Sequence, residues 1–147
     1  EIKRRKVYSF KIELLSYSIV GFTFALFFGG NLIEGGIAGV IALFILLIET
    51  GIAKWRQSTF FQCLICSFMT ASLAVLCTRI GLTENFDKVI IGASMTMVPG
   101  ITLTNCMRDF ISGDFLAGLY TLTEALIVAL GMAVGAATGI FVFSNIF

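Results

Sequence analysis

The sequence predicts an all-α integral membrane protein with five transmembrane helices, the fourth broken by a Pro-Gly pair. Three observations carry this. The chain is 58% hydrophobic, with ten basic and nine acidic residues among 147, whereas about a quarter of a soluble domain is charged. Apolar intervals without charge recur along it at the length of a bilayer crossing, about 20 residues. The single proline, Pro99, stands beside Gly100 in the middle of one such interval, where it removes a backbone donor and clashes with the preceding turn.

The spans follow in order. Leu14–Ile33 runs uncharged from Glu13 to Glu34 and is long enough to cross; Phe28-Gly29-Gly30-Asn31 releases its helix. Glu34-Gly35-Gly36 restarts the chain. Gly35–Ile48 is short by itself and reaches a crossing length at Ala53 when Glu49 is allowed near the exit. Gln57–Thr78 is the third uncharged interval. Gly81–Lys88 reads as a polar hairpin in which Asp87 caps the fourth helix. Val89–Met107 is the fourth interval, with the Pro99-Gly100 break at its centre. Gly113 and Asp114 then read as a helix stop and the next N-cap. They open Phe115–Phe147, of which Ala125–Phe147 is free of charge and long enough to span. Lys3-Arg4-Arg5-Lys6 before an apolar run is the opening of a signal peptide, but no small-x-small cleavage site follows and the run is long enough to span. The chain opens on Glu1, from which a piece of a longer protein is expected.

Small residues at helical spacing predict close packing between spans: Gly131, Gly135 and Gly139 on the last, Ser67, Ala71, Ala74 and Thr78 on the third, Gly35 and Gly39 on the second. With the amino end cytoplasmic, Lys3, Arg4, Arg5, Lys6, Lys11, Lys54, Arg56 and Arg108 lie inside and only Arg79 and Lys88 outside. The bias of lysine and arginine toward the cytoplasm therefore places the amino end in and the carboxyl end out. Trp55 reads as an interfacial anchor, Glu49 as a surface ion pair with Lys54 or Arg56, and Glu34 as a residue of the outer interface.

Several function classes lose support. A net charge of +1 offers no basic field for nucleic acid. The chain has no histidine, the usual general base and commonest metal ligand. Cys63 and Cys66 form a C-x-x-C inside an apolar span, without the second pair a zinc site needs, so packing is the expectation for them. No metal, cofactor or enzymatic nucleophile is expected.

The stretch from Val98 reads as a solute pathway. A charge at bilayer depth costs about 2.5–3.5 kcal/mol on insertion scales, and carriers use broken helices to turn backbone groups toward a solute near the midplane. A kink absorbed by neighbouring helices is the plain alternative. Thr104 and Arg108 are four apart and share a helix face, with Asn105 beside them. Hydroxyl, amide and guanidinium together suit a small carboxylate-bearing solute, gripped by the planar fork of Arg108; a cytoplasmic-end anchor is the other reading of Arg108. Asp109, Asp114 and Glu124 complete a set of acids for proton coupling or a polar network. Asp109 also fits an ion pair with Lys54 or Arg56, and Asp114 an N-cap. Glu124 falls near the azimuth of Gly131 and Gly135, so it is expected in a helix-packing seam, where burial favours the proton-carrying form.

With these residues in view, the chain resembles the membrane part of the threonine/serine exporter family. The resemblance rests on Phe24-Ala25-Leu26-Phe27-Phe28-Gly29-Gly30, on Asp87-Lys88-Val89-Ile90-Ile91-Gly92, and on Val98-Pro99-Gly100-Ile101-Thr102-Leu103-Thr104-Asn105-Cys106-Met107-Arg108-Asp109. It continues into Ser112-Gly113-Asp114, Gly118 and Glu124-Ala125, and covers essentially the whole chain. It implies a secondary exporter of threonine and serine in a bacterial inner membrane, driven by the proton motive force. It also implies an architecture of two five-span halves, fused or as separate subunits; in the split form a C4 dicarboxylate such as succinate is a further substrate. Relatives precede the first half with a soluble segment. Thr121 stands where many of them are expected to carry arginine.

The expectation is thus a single five-span transmembrane domain over residues 1–147, half of a ten-span transporter. Its expected partners are a small-molecule substrate, membrane lipid, a second half or subunit, and further copies of itself. Pro99, Gly100, Thr104, Asn105 and Arg108 are the solute-binding candidates. The alternatives are a succinate-export subunit, or a membrane scaffold supporting a transporting partner, which the glycine-rich last span would suit.

Overall fold

In the computed structural model, which describes residues 10–53 and 58–146, every regular element among the described residues is an α-helix. They are α1 (Phe10–Phe27), α2 (Leu32–Ala53), α3 (Thr59–Arg79), α4 (Phe86–Ser94), α5 (Gly100–Ile111) and α6 (Phe115–Ile146). Helices α1, α2, α3 and α6 are each long and apolar enough to cross a membrane. Lys3-Arg4-Arg5-Lys6, Lys54, Trp55 and Arg56 lie outside the described residues.

Local chemistry sets the helix ends. Gly29 adopts a φ of 83°, and Gly29 and Gly30 donate their backbone N–H groups to Leu26 and Ala25, which closes α1 in the manner of a glycine C-cap. The helix is already formed before the expected Leu14, because Lys11 and Glu13 are tolerated in its exposed first turns. Helix α2 starts at Leu32 rather than Gly35, since Asn31 precedes it and Glu34 reaches back to accept the Asn31 N–H at 2.7 Å. That is half of a capping box. The next boundary differs from expectation as well: Asn85 precedes α4, and Asp87 lies inside its first turn.

The interval Val89–Met107, expected as one broken helix, is occupied by α4 and α5 with residues 95–99 between them. Met95 and Met97 donate to Ile91 and Ser94, after which Pro99 enters α5 with φ −77° and ψ 55°. Among the described helices α4 packs against α1, α2 and α3, whereas α5 packs against α6 alone. Gly113, at φ 84°, turns the chain from α5 into α6, and Asp114 Oδ1 accepts the Ala117 N–H at 3.1 Å. Asp114 is therefore the N-cap of a helix of 32 residues, roughly 48 Å long.

The core is made of small and β-branched residues, among them Ala25, Ala38, Ile45, Cys66, Ala71 and Val89. Its tightest seam joins α3 and α6. A Cβ added at Gly131 would come 2.9 Å from the Phe60 carbonyl oxygen, one at Gly139 2.8 Å from that of Phe68, and Gly135 lies equally hard against Leu64. Ser67 Oγ adds a hydrogen bond to the Met132 carbonyl at 2.8 Å. The pairs 60–131, 64–135 and 68–139 advance together, so α3 and α6 run parallel. Helix α6 consequently extends past the start of α3 by about 15 residues, or roughly 22 Å, and this overhang carries α5.

Candidate functional site

Pro99 and Gly100 open α5, where the Leu103 N–H donates to the Pro99 carbonyl at 3.0 Å. A Cβ on Gly100 would meet nothing within 4 Å, so the start of α5 is open. Thr104 and Arg108 are exposed, with Asn105 half-buried beside them. The Thr104 hydroxyl donates to the Gly100 carbonyl at 2.9 Å, which leaves its lone pairs available on the exposed face. The groove beside the break, about 270 Å³, is lined by Val98, Pro99, Leu103, Ala125, Leu126, Ala129 and Met132. That lining is apolar, so the polar face of α5 points elsewhere.

Glu124 sits in a different groove. It is exposed, and with Tyr120, Thr123 and the start of α3 at Ser58 and Thr59 it lines a hollow of about 240 Å³. The azimuth expected for it agrees with the glycine seam, but α3 begins at Thr59 and the seam ends before it reaches Glu124. This is why the carboxyl is not buried. Thr121, its near neighbour, spends its hydroxyl proton on the Ala117 carbonyl at 2.9 Å. Asp109 is half-buried near the end of α5, and Lys54 and Arg56, considered as its partners, lie outside the described residues. The structure thus gathers Pro99, Gly100, Thr104, Asn105 and Arg108 on one short helix and sets Glu124 on the α3 side of α6. Among the described residues no group of three or more His, Cys, Asp or Glu side chains could hold a metal ion.

The family model described as "Putative threonine/serine exporter" (ThrE) matches residues 1–143. The chain belongs to this threonine/serine exporter family. A threonine/serine exporter of Corynebacterium glutamicum is 27% identical over 137 residues, which are 90% of this chain and 28% of that protein. The chain therefore spans little more than a quarter of the curated relative's length. No solved structure matches it.

Two polar contacts of this exporter-family chain escaped the sequence reading. Glu34, at the end of a crossing helix, is 2% exposed, and its carboxylate accepts from the Asn31 N–H, from Asn85 Nδ2 at 2.9 Å and from the Thr83 hydroxyl at 3.3 Å. It ties the α1–α2 turn to the α3–α4 loop. The Asn31-x-x-Glu34 spacing was the available signal for its capping role. Glu49, read as a surface ion pair, is half-buried and accepts a 2.9 Å hydrogen bond from the Tyr17 hydroxyl across the α1–α2 interface. Nothing in the local sequence announces that pairing, since Tyr17 and Glu49 lie 32 positions apart.

Proposed function

We propose that this chain is one five-crossing half of a secondary exporter that moves threonine and serine out of a bacterial cell across its cytoplasmic membrane, with the amino end inside. The family match over residues 1–143 is the observation that carries the reading. The helix geometry supports the fifth crossing. Because α3 and α6 run parallel, the chain between them must return along the bundle: α4 and residues 95–99 run back beside α1, α2 and α3, and α5 continues along the overhang of α6. Non-helical backbone at membrane depth persists only where protein covers it or a wet cavity meets it. Among the described residues helix α5 has only α6 against it, so a second five-span half, fused or separate, is the cover this reading supplies.

In the completed transporter the solute lies against α5. The planar Arg108 fork holds its carboxylate with two hydrogen bonds, Thr104 and Asn105 contact the remainder, and the Pro99-Gly100 break gives the joint about which access alternates. Asp109, next to Arg108 on α5, is the acceptor for the solute ammonium, Glu124 supplies an acid to the neighbouring groove on α6, and Asp114 holds the α5–α6 turn. One cation beside several acids favours an amino acid over a C4 dicarboxylate, which would want two cations. Export draws on the proton gradient as an antiport.

The test is efflux of labelled threonine from vesicles carrying the complete transporter. A charge-assisted hydrogen bond contributes about 1.5–3 kcal/mol, so Arg108→Ala is expected to weaken transport by roughly 10- to 150-fold, with a smaller loss for Glu124→Gln. Unimpaired efflux from both variants would overturn the residue assignments. A scaffold role predicts that outcome.

A further inference from the structure

We infer that Tyr17 and Glu49, hydrogen-bonded across the α1–α2 interface, form the proton-exchange site of the exporter, apart from the solute face on α5. The inference rests on the exporter reading above and adds the site of coupling to it.

The two acids of α2, one buried and one half-buried, have partners of different kinds. Glu34 is held by a backbone N–H, by the Asn85 amide NH₂ and, at a longer 3.3 Å, by the Thr83 hydroxyl. The two shorter partners can only donate, so they satisfy a carboxylate and would be left unpaired by a carboxylic acid. Protonating Glu34 therefore loses hydrogen bonds. Glu49 differs, because its partner in the structure is the Tyr17 hydroxyl at 2.9 Å. A phenol donates to a carboxylate and accepts from a carboxylic acid. The pair therefore keeps its hydrogen bond when Glu49 gains a proton and when it loses one, which is what a carboxyl that cycles between states within a helix bundle requires.

The surroundings suit the task. Glu49 lies in the last turns of α2, inside the membrane-crossing part that ends at Ile52. Helix α3 presents the buried thiols of Cys63 and Cys66 to it, and α1 presents Tyr17 and Glu13, whose charge also acts on the pair. None of these four groups is a cation. On α4, which also packs on α2, the ionisable groups are Asp87 and Lys88, at the opposite end of α2 beside the Glu34 cluster. Lys54 and Arg56, beyond Ala53, lie outside the described residues. Glu13 is exposed and one helical turn before Tyr17, so the two share a face of α1. Glu13 thus stands as an exposed acid on the same face of α1 as Tyr17, and Glu49 takes up a proton and releases it while the Tyr17 hydroxyl turns from donor to acceptor and back. Asp109 and Glu124 offer no comparable buried pair, and Asp114 is occupied as a helix cap.

The experiment uses the complete transporter in proteoliposomes and reads two activities. Exchange of internal for external threonine at equal pH needs the solute site alone; threonine movement driven by an imposed pH gradient also needs proton exchange. Glu49→Gln is expected to lose gradient-driven movement by tenfold or more while keeping exchange within about threefold. Tyr17→Phe is expected to displace the pH profile of gradient-driven movement with exchange unchanged. Gradient-driven movement by Glu49→Gln within twofold of the parent overturns the inference, as does equal loss of both activities in a folded variant. If Glu49→Gln does not accumulate in the membrane, Glu49→Asp replaces it, and unmoved pH profiles in both Glu49→Asp and Tyr17→Phe overturn the inference. Failure of the parent to exchange threonine contradicts the exporter reading itself, so the two failures are told apart.

Discussion

Adding one methyl group at Gly135 tests the packing on which the overhanging α5–α6 hairpin depends. The Cβ of Gly135→Ala would run into the Leu64 carbonyl oxygen and come 3.0 Å from the Ser67 Cβ. A backbone carbonyl inside a helix cannot turn aside, so the two helices must separate. Separation loosens the tiers at Gly131 and Gly139 and stretches the 2.8 Å bond from Ser67 Oγ to the Met132 carbonyl. Overpacking of this kind costs about 1–3 kcal/mol, and a weakened hydrogen bond adds about 0.5–1.5 kcal/mol. Against these stands the helix-propensity gain of alanine over glycine, about 1 kcal/mol. The net expectation is a loss of about 0.5–3.5 kcal/mol. Gly36→Ala is the matched control, because its Cβ would meet nothing within 4 Å. Reversible unfolding of both variants in mixed micelles, followed by circular dichroism, gives the comparison. A Gly135→Ala protein as stable as Gly36→Ala would refute the seam.

Two further substitutions separate structural acids from the solute face. Glu34→Gln turns an amide NH₂ toward donors that now lack an acceptor, and the damage to a buried polar cluster should cost roughly 1–3 kcal/mol, seen as a lowered unfolding midpoint with the two loops exchanging amide protons faster. Asp114→Ala removes the bond to the Ala117 N–H and should cost about 1 kcal/mol, measured in the same way; a loss well above that would mean that Asp114 does more than cap α6.

Much of the fold was legible because bilayer crossing leaves a strong trace. Charge-free length found α1, α2, α3 and α6, and the spacing of small residues, Gly131, Gly135 and Gly139 on α6 and Ser67 and Ala71 on α3, marked both sides of the seam before either partner was known. Boundaries slipped where charged side chains fall within a helix's first turns, as Lys11 and Glu13 do. The candidate site was legible only as a local string. Pro99 through Arg108 sit together on α5 because they are neighbours in sequence. Glu124 was misplaced because azimuth says nothing about where the neighbouring helix begins. The Glu34 cluster joins residues up to 51 positions apart, and Tyr17–Glu49 joins two helices. Such pairings follow from tertiary packing, and no local pattern encodes them.

On the function proposed above, this chain is half of a pathway for a small amino acid. The most direct measurement is competition for labelled threonine efflux in vesicles bearing the complete transporter, with unlabelled threonine and unlabelled succinate offered separately. Strong competition by threonine, little by succinate, and loss of the threonine-sensitive flux in Arg108→Ala are the expected results. Succinate competing as well as threonine, or a threonine flux indifferent to Arg108, would contradict that function.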